Sequence, residues 1–285
     1  GCWSGIAPRI ARAVGFEVVP IFCSVDPDLA VRDPNPLPGN IGRLCRVVEE
    51  EGCGFGAAFD GDGDRVVFVD ERGRPLPSDI AGAVLARWML ATAPGAKVVY
   101  EPNCSQVLAE AVESAGGRAL MEKAGHAFMK RRMIDERALL GVEISGHYFH
   151  RSLHGGDDGL FSALLMARLL VESGRRLSEL AGEIPRYCST PVLRLPRAEA
   201  DARAAVEAIA RNARDGSVSR LDGVRVVYPD GWALARVSVT EPVLSMRFEA
   251  RSEELLPSII ARFVGFDPAL ESEVRRLLAG QQSGC

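Results

Sequence analysis

A chain of 285 residues exceeds one ordinary hydrophobic core and calls for two or three domains. Its 47% hydrophobic and 25% charged residues exclude a disordered or fibrous chain, and a net charge of −4 argues against a nucleic-acid partner. No run approaches eighteen uninterrupted apolar residues, and Gly1-Cys2-Trp3-Ser4 lacks the features of a secretory signal, so no membrane association and a cytoplasmic location are expected.

Ser4 is placed to cap a helix with Ile6, Ile10, Ala13 and Val14 on one face, closed by Gly15. Residues 16–22 then read as a strand, and the proline-rich stretch 33–40 as a surface loop ending in an N-cap. Ile41, Leu44, Val47 and Val48 give the next helix its inner face. Two apolar runs, ending at Phe59 and starting at Val66, flank the loop Asp60-Gly61-Asp62-Gly63-Asp64-Arg65, and Glu71-Arg72-Gly73 marks a turn.

Pro75 and Pro77 mark a first boundary, after which Ser78-Asp79 opens a helix through Leu90. Residues 97–100 form a strand, Ser105 caps a helix closed by Gly116-Gly117, and a short strand precedes Gly125. The following helix carries Phe128, Met129 and Ile134, the strand from Leu139 to Ile144 runs into a polar loop from Ser145 to Gly159, and an apolar helix spans 160–171. A second boundary falls near Ile184-Pro185. Beyond it, strand-like 191–196, helical 198–214, β runs at 224–228, 232–236 and 243–249, and a helix at 252–264 read as α+β. The expectation is two related α/β mixed-sheet domains, 1–77 and 78–186, followed by a smaller α+β domain, 187–285. The seven cysteines are an odd number without a C-x-x-C pair, so reduced thiols are expected.

Five motifs carry possible chemistry. Asp60, Asp62 and Asp64 alternate with glycines and suit a hard divalent cation, with Arg65 as a phosphate fork. The same acids and Glu71 match EF-hand positions, but Arg65 takes the glycine position and 66–69 reads as a strand; a purely structural turn is the other alternative. Glu143, Ser145 and His147 alternate and, in extended geometry, would offer donors and acceptors on one side to a polyhydroxylated ligand, against the alternative of a capped loop with a solvated histidine. Arg236, Ser238 and Thr240 suit a phosphate, against an ordinary β alternation. Lys123-Ala124-Gly125-His126 could meet an anion at a helix entry, against a surface histidine. Gly155-Gly156-Asp157-Asp158-Gly159 reads as capping and turn formation.

Taken together and in this order, these motifs resemble the α-D-phosphohexomutases of the phosphomannomutase/phosphoglucomutase type, and the resemblance spans nearly the whole chain. It implies the second, third and fourth domains of a four-domain enzyme interconverting hexose 1-phosphate and hexose 6-phosphate. In that scheme Asp60, Asp62 and Asp64 hold Mg²⁺, Arg65 stabilises the transferring phosphoryl group, and Glu143, Ser145 and His147 hold sugar hydroxyls. Arg236, Ser238 and Thr240 grip the other phosphate, and His126 contacts the sugar or moves a proton. A hexose 1,6-bisphosphate serves as intermediate and activator. The family's phosphoserine loop, of the Thr-Ala-Ser-His-Asn-Pro kind, has no counterpart in these residues, so the first domain is expected as a missing partner and this chain alone is expected to be inactive. Asn103 stands where many dual-specificity bacterial members carry lysine, and Val237 and Val239 stand where the phosphate loop usually has proline and glycine. A non-catalytic phosphosugar-binding fragment and a Mg²⁺-dependent sugar phosphate phosphohydrolase are the competing readings.

Overall fold

The structure, a computed structural model, describes residues 1–24, 28, 32–238 and 241–280. It divides into two compact units, Gly1–Cys104 with Leu108–Met121 and Gly125–Pro185, and Ser105–Val107 with Glu122–Ala124 and Arg186–Cys285.

The first unit starts with helix α1 (Ala7–Ala13) and helix α2 (Gly42–Glu50), followed by strands β1 (Phe55–Phe59) and β2 (Val66–Asp70). β1 and β2 pair antiparallel with Phe59 opposite Val66, so the acidic loop closes a hairpin. Ile41 and Val48 of the α2 segment pack on Ala58 and Val69, which fixes one face of that hairpin in a core. Three expectations fail here. Ile6, Ile10 and Val14 are exposed rather than buried, and residues 16–22 join no β ladder among the described residues. An apolar stripe or run indicates a capacity for burial, but burial and strand pairing also require a covering partner. Ser4 does not cap α1; its hydroxyl donates to the Gly1 carbonyl, and Ile6 takes the N-cap position.

The unit continues through α3 (Ser78–Ala91), β3 (Lys97–Tyr100), α4 (Gln106–Ser114), β4 (Arg118–Met121), α5 (His126–Glu136), β5 (Leu140–Val142), β6 (Tyr148–His150), β7 (Gly156–Asp157), α6 (Gly159–Ser173) and α7 (Leu177–Gly182). Their sheet has the order β4-β3-β5-β6-β7, with β3 parallel to β4 and β5 and with β6 and β7 antiparallel to their neighbours. Buried Val98 and Val99 mark β3 as a strand covered on both faces, as parallel strands require. The α5 helix buries Met129 and Met133 against Val99 and Phe149, while Phe128 and Ile134 face outward, so the inner face differs from the expected one by a partial turn. The expected polar loop from Ser145 to Gly159 contains β6 and β7. The three residues of β6 are fully buried, and so short a run is hidden by the polar residues around it.

In the second unit, β8 (Cys188–Ser189), β9 (Leu193–Pro196), α8 (Glu199–Asn212), β10 (Ser217–Ser219), β11 (Val224–Tyr228), β12 (Gly231–Val237) and β13 (Val243–Ala250) precede α9 (Leu256–Val264) and α10 (Pro268–Gly280). The antiparallel order is β10-β11-β12-β13-β8, with β9 also on β13. Helices cover one core built around Phe248 and Phe263, whose rings meet edge-on at 5.8 Å. The mixed α/β architecture with a C-terminal α+β part therefore stands. Cys2, Cys23, Cys45, Cys53 and Cys104 are free thiols, whereas Cys188 is disulfide-bonded. The expectation of reduced thiols is corrected at Cys188, because pairing depends on the approach of Cβ atoms in space, which sequence spacing does not report.

Phe68 is fully buried between Phe55 and Tyr148, at ring separations of 6.3 and 5.8 Å, and so ties the β2 hairpin to β6. Phe68→Ala is expected to lower the unfolding free energy by about 3–5 kcal/mol, read from urea denaturation followed by circular dichroism.

Candidate active site

The acidic loop is held open by its own first carboxylate. Asp60 is buried; its Oδ1 accepts from the amides of Gly63 and Arg65 at 3.0 and 3.1 Å, and its Oδ2 accepts from Arg65 Nε at 2.6 Å. Burial alone would raise its pKa, but the Arg65 amide and guanidinium hold it below the ordinary carboxylate value. Gly63 is obligatory: its φ is +84°, and a Cβ there would stand 2.1 Å from Trp3 Nε1, which donates to the Gly63 carbonyl. Strands on both sides of the loop remove the helix–loop–helix needed for an EF-hand.

The loop meets the turn between β5 and β6. Val66 N–H donates to the Gly146 carbonyl at 3.0 Å, and Arg65 and His147 form an isolated antiparallel bridge. The turn is not extended, as expected from the alternation, but tight: Gly146 N–H donates to the Glu143 carbonyl at 3.1 Å, and Glu143 N–H donates to that of His147 at 3.1 Å. Gly146, at φ +96°, makes this possible, and a Cβ on it would lie 2.9 Å from the Val66 oxygen. The turn still gathers the three predicted side chains, but by bonding them to one another. Ser145 Oγ lies 2.7 Å from His147 Nδ1 and donates to Glu143 Oε2 at 3.3 Å. Glu143 Oε2 lies 3.1 Å from His147 Nδ1, and Glu143 Oε1 accepts from Gly125 N–H at 2.8 Å.

His147 Nε2 then reaches back to Asp64 Oδ1 at 3.4 Å. That oxygen is buried and has no hydrogen-bond partner. Burial and the neighbouring Asp60 and Asp62 carboxylates push the Asp64 pKa up against the pull of His147. Carboxylate oxygens of Asp60, Asp62 and Asp64 lie within 4.8 Å of one another. A carboxylate offers about four lone-pair positions, so Asp60, with three used by the Gly63 and Arg65 donors, retains one, Asp62 is exposed beside it, and Asp64 presents an unsatisfied oxygen. This donor set fits a hard, oxygen-preferring divalent cation. Arg65 commits its Nε to Asp60, which leaves the outer Nη groups of the fork for an anion.

His126 opens α5, and its Nδ1 lies 3.2 Å from Asp157 Oδ2. Asp157 is the residue that sequence reasoning assigned to turn formation. Its neighbour Asp158 does cap α6, accepting from Phe161 N–H at 2.8 Å, while Asp157 joins the histidines. In the second unit, Arg236 Nη1 donates to Asp222 at 2.6 Å, and Ser238 Oγ accepts from Glu241 N–H at 3.3 Å, so both expected phosphate ligands have internal partners. Thr240 lies outside the described residues.

Three family profiles match consecutive segments: phosphoglucomutase/phosphomannomutase alpha/beta/alpha domain II over residues 1–73, alpha/beta/alpha domain III over 77–187, and the C-terminal domain over 192–265. The chain belongs to this family. It is 37% identical over 273 residues to the phosphomannomutase/phosphoglucomutase of Pseudomonas aeruginosa, covering 94% of this chain and 59% of the relative. It is 34% identical to a phosphoglucomutase of Neisseria gonorrhoeae, covering 92% of this chain and 58% of the relative. A crystal structure of a phosphoglucomutase/phosphomannomutase family protein from Burkholderia thailandensis superposes with a TM-score of 0.85 at 32% identity, over 100% of this chain and 59% of that one. The chain thus spans about three fifths of the length of these relatives.

The Glu143–His147 pair has a defined pH signature. Burial opposes both charges, yet His147, the Gly125 amide and Ser145 hold the Glu143 pKa low, and the carboxylates of Glu143, Asp64 and Asp157 carry that of His147 up. The glutamate's contribution to stability is present above its unfolded pKa of ~4.3 and is lost as pH falls through its lower folded value. The histidine's is present below ~6.5 and is lost as pH rises through its higher folded value. Thermal stability should therefore fall as pH rises from about 6.5, and Glu143→Gln should flatten that decline, as read from melting temperatures across the range.

Proposed function

We propose that this chain carries the metal, sugar and phosphate sites of a phosphosugar mutase that interconverts hexose 1-phosphate and hexose 6-phosphate through a bisphosphorylated hexose. The observation that carries this reading is the 3.4 Å approach of His147 to Asp64 across the Arg65–His147 bridge. It sets a cation-capable acidic loop beside a turn rich in hydroxyl-binding groups.

Asp60, Asp62 and Asp64 would hold Mg²⁺, which when bound supplies positive charge beside a phosphoryl group. The Arg65 fork adds a fixed cation to the same edge of the loop. Glu143 accepts from sugar hydroxyls, and Ser145 and His147 can donate or accept, so one turn can serve either orientation of a hexose phosphate. His126 offers a further polar contact. In the other unit, Arg236 and Ser238 could exchange Asp222 and the Glu241 amide for a phosphate. The reacting phosphoserine has no counterpart in residues 1–285, so these residues on their own would bind the phosphosugar without turning it over.

Two measurements bear on this reading. Glucose 1-phosphate and glucose 6-phosphate should compete for one site in calorimetric titrations with Mg²⁺, with no inorganic phosphate released from glucose 1,6-bisphosphate; phosphate release without isomer formation would favour a phosphohydrolase. Separately, Asp64→Asn should raise the melting temperature of metal-free protein at neutral pH, because a carboxyl whose pKa is pushed up costs stability once ionised. It should also weaken Mg²⁺ binding by at least about tenfold, so that added Mg²⁺ no longer stabilises the chain.

A further inference from the structure

Asp157 is nearly withdrawn from solvent, its side chain being 5% exposed, yet its carboxylate stands between two imidazoles. Oδ2 lies 3.2 Å from His126 Nδ1 and 3.9 Å from His147 Nε2. The backbone sets this arrangement. Asp157 in β7 pairs opposite Phe149 in β6, and both imidazoles lean on the Phe149 ring, His126 edge-on at 5.5 Å and His147 at 6.2 Å. A buried carboxylate requires a donor, and an ionised carboxylate can only accept. A hydrogen on the nearer imidazole nitrogen, 3.2 Å away, would meet that need.

We propose that Asp157 is a positioning residue that fixes His126 as its Nδ1–H tautomer, so that Nε2 of that ring is kept as an acceptor for a ligand hydroxyl. The hydroxyl is assigned to a hexose phosphate on the strength of the functional reading above; the tautomer rests on the geometry alone. The ring edge against Phe149 and the carboxylate on Nδ1 together restrict the rotation of a side chain that is otherwise 53% exposed. The arrangement follows the general rule that a histidine's working nitrogen is set by the hydrogen bond made by its other one.

Long-range ¹H–¹⁵N correlation spectra of the 285-residue chain at alkaline pH, with His126 assigned from its loss in His126→Gln, test the tautomer without any ligand. The wild-type protein should show His126 protonated at Nδ1, Asp157→Ala should show a mixture of both tautomers, and Asp157→Glu should restore the wild-type pattern. Wild-type protonation at Nε2, or a pattern unchanged in Asp157→Ala, would overturn the proposal. Asp157→Ala should also weaken glucose 6-phosphate binding on the order of tenfold, as for other residues that orient a functional histidine. Its effect should vanish in a His126→Gln background; an equal loss in that background would reduce Asp157 to a structural role. If the wild-type chain binds no hexose phosphate, the mutase reading fails while the tautomer result still decides the part of Asp157.

Discussion

The candidate site depends on one backbone contact, the hydrogen bond from Val66 N–H to the Gly146 carbonyl with its accompanying Arg65–His147 bridge. It joins a two-stranded hairpin to the turn between two interior strands, β5 and β6, of a five-stranded sheet and brings together two loops that lie some eighty positions apart in sequence. Without it, the acidic loop has a cation-binding shape but no neighbour, and the Glu143 turn has hydroxyl-binding groups but no charge to work beside. Gly146 is the residue that allows it, since any side chain there would strike the Val66 oxygen.

Charge placement follows from the same contact. Asp60 is spent on holding the loop, through two amides and the Arg65 guanidinium, and is kept ionised by them. Asp64, a few residues on, inherits the opposite condition: crowded by carboxylates, partly desolvated and short of a donor. His147 answers part of that excess negative charge and is in turn held by Glu143. The division of labour among three acids of one motif thus arises from which of them the backbone amides can reach.

The acidic loop was legible in the sequence because three acids separated by glycines between two apolar runs leave few folded alternatives. The Glu143–His147 cluster was legible as a group but not in its geometry, since alternation suggested an extended segment and Gly146 instead closes a turn. Asp157 was hidden by its neighbour: two adjacent aspartates before an apolar helix both look like caps, and only the register of β7 against β6 shows that Asp158 caps while Asp157 turns to the histidines. Strands of two or three residues, such as β6 and β7, carry too little periodicity to be read. The exposed face of α1 and the unpaired run 16–22 show the opposite error, in which apolar pattern was taken for burial without a partner to provide it.

The central claim is that the acidic loop and the Glu143–His147 turn form one site. Paramagnetic relaxation by Mn²⁺, used in place of Mg²⁺ at substoichiometric levels, tests it directly. The account predicts selective broadening of the His147 imidazole signals and, once glucose 1-phosphate is added, of the sugar protons of the bound ligand as well. Broadening of His147 with sugar protons left sharp under saturating ligand, or no selective effect on His147, would contradict it.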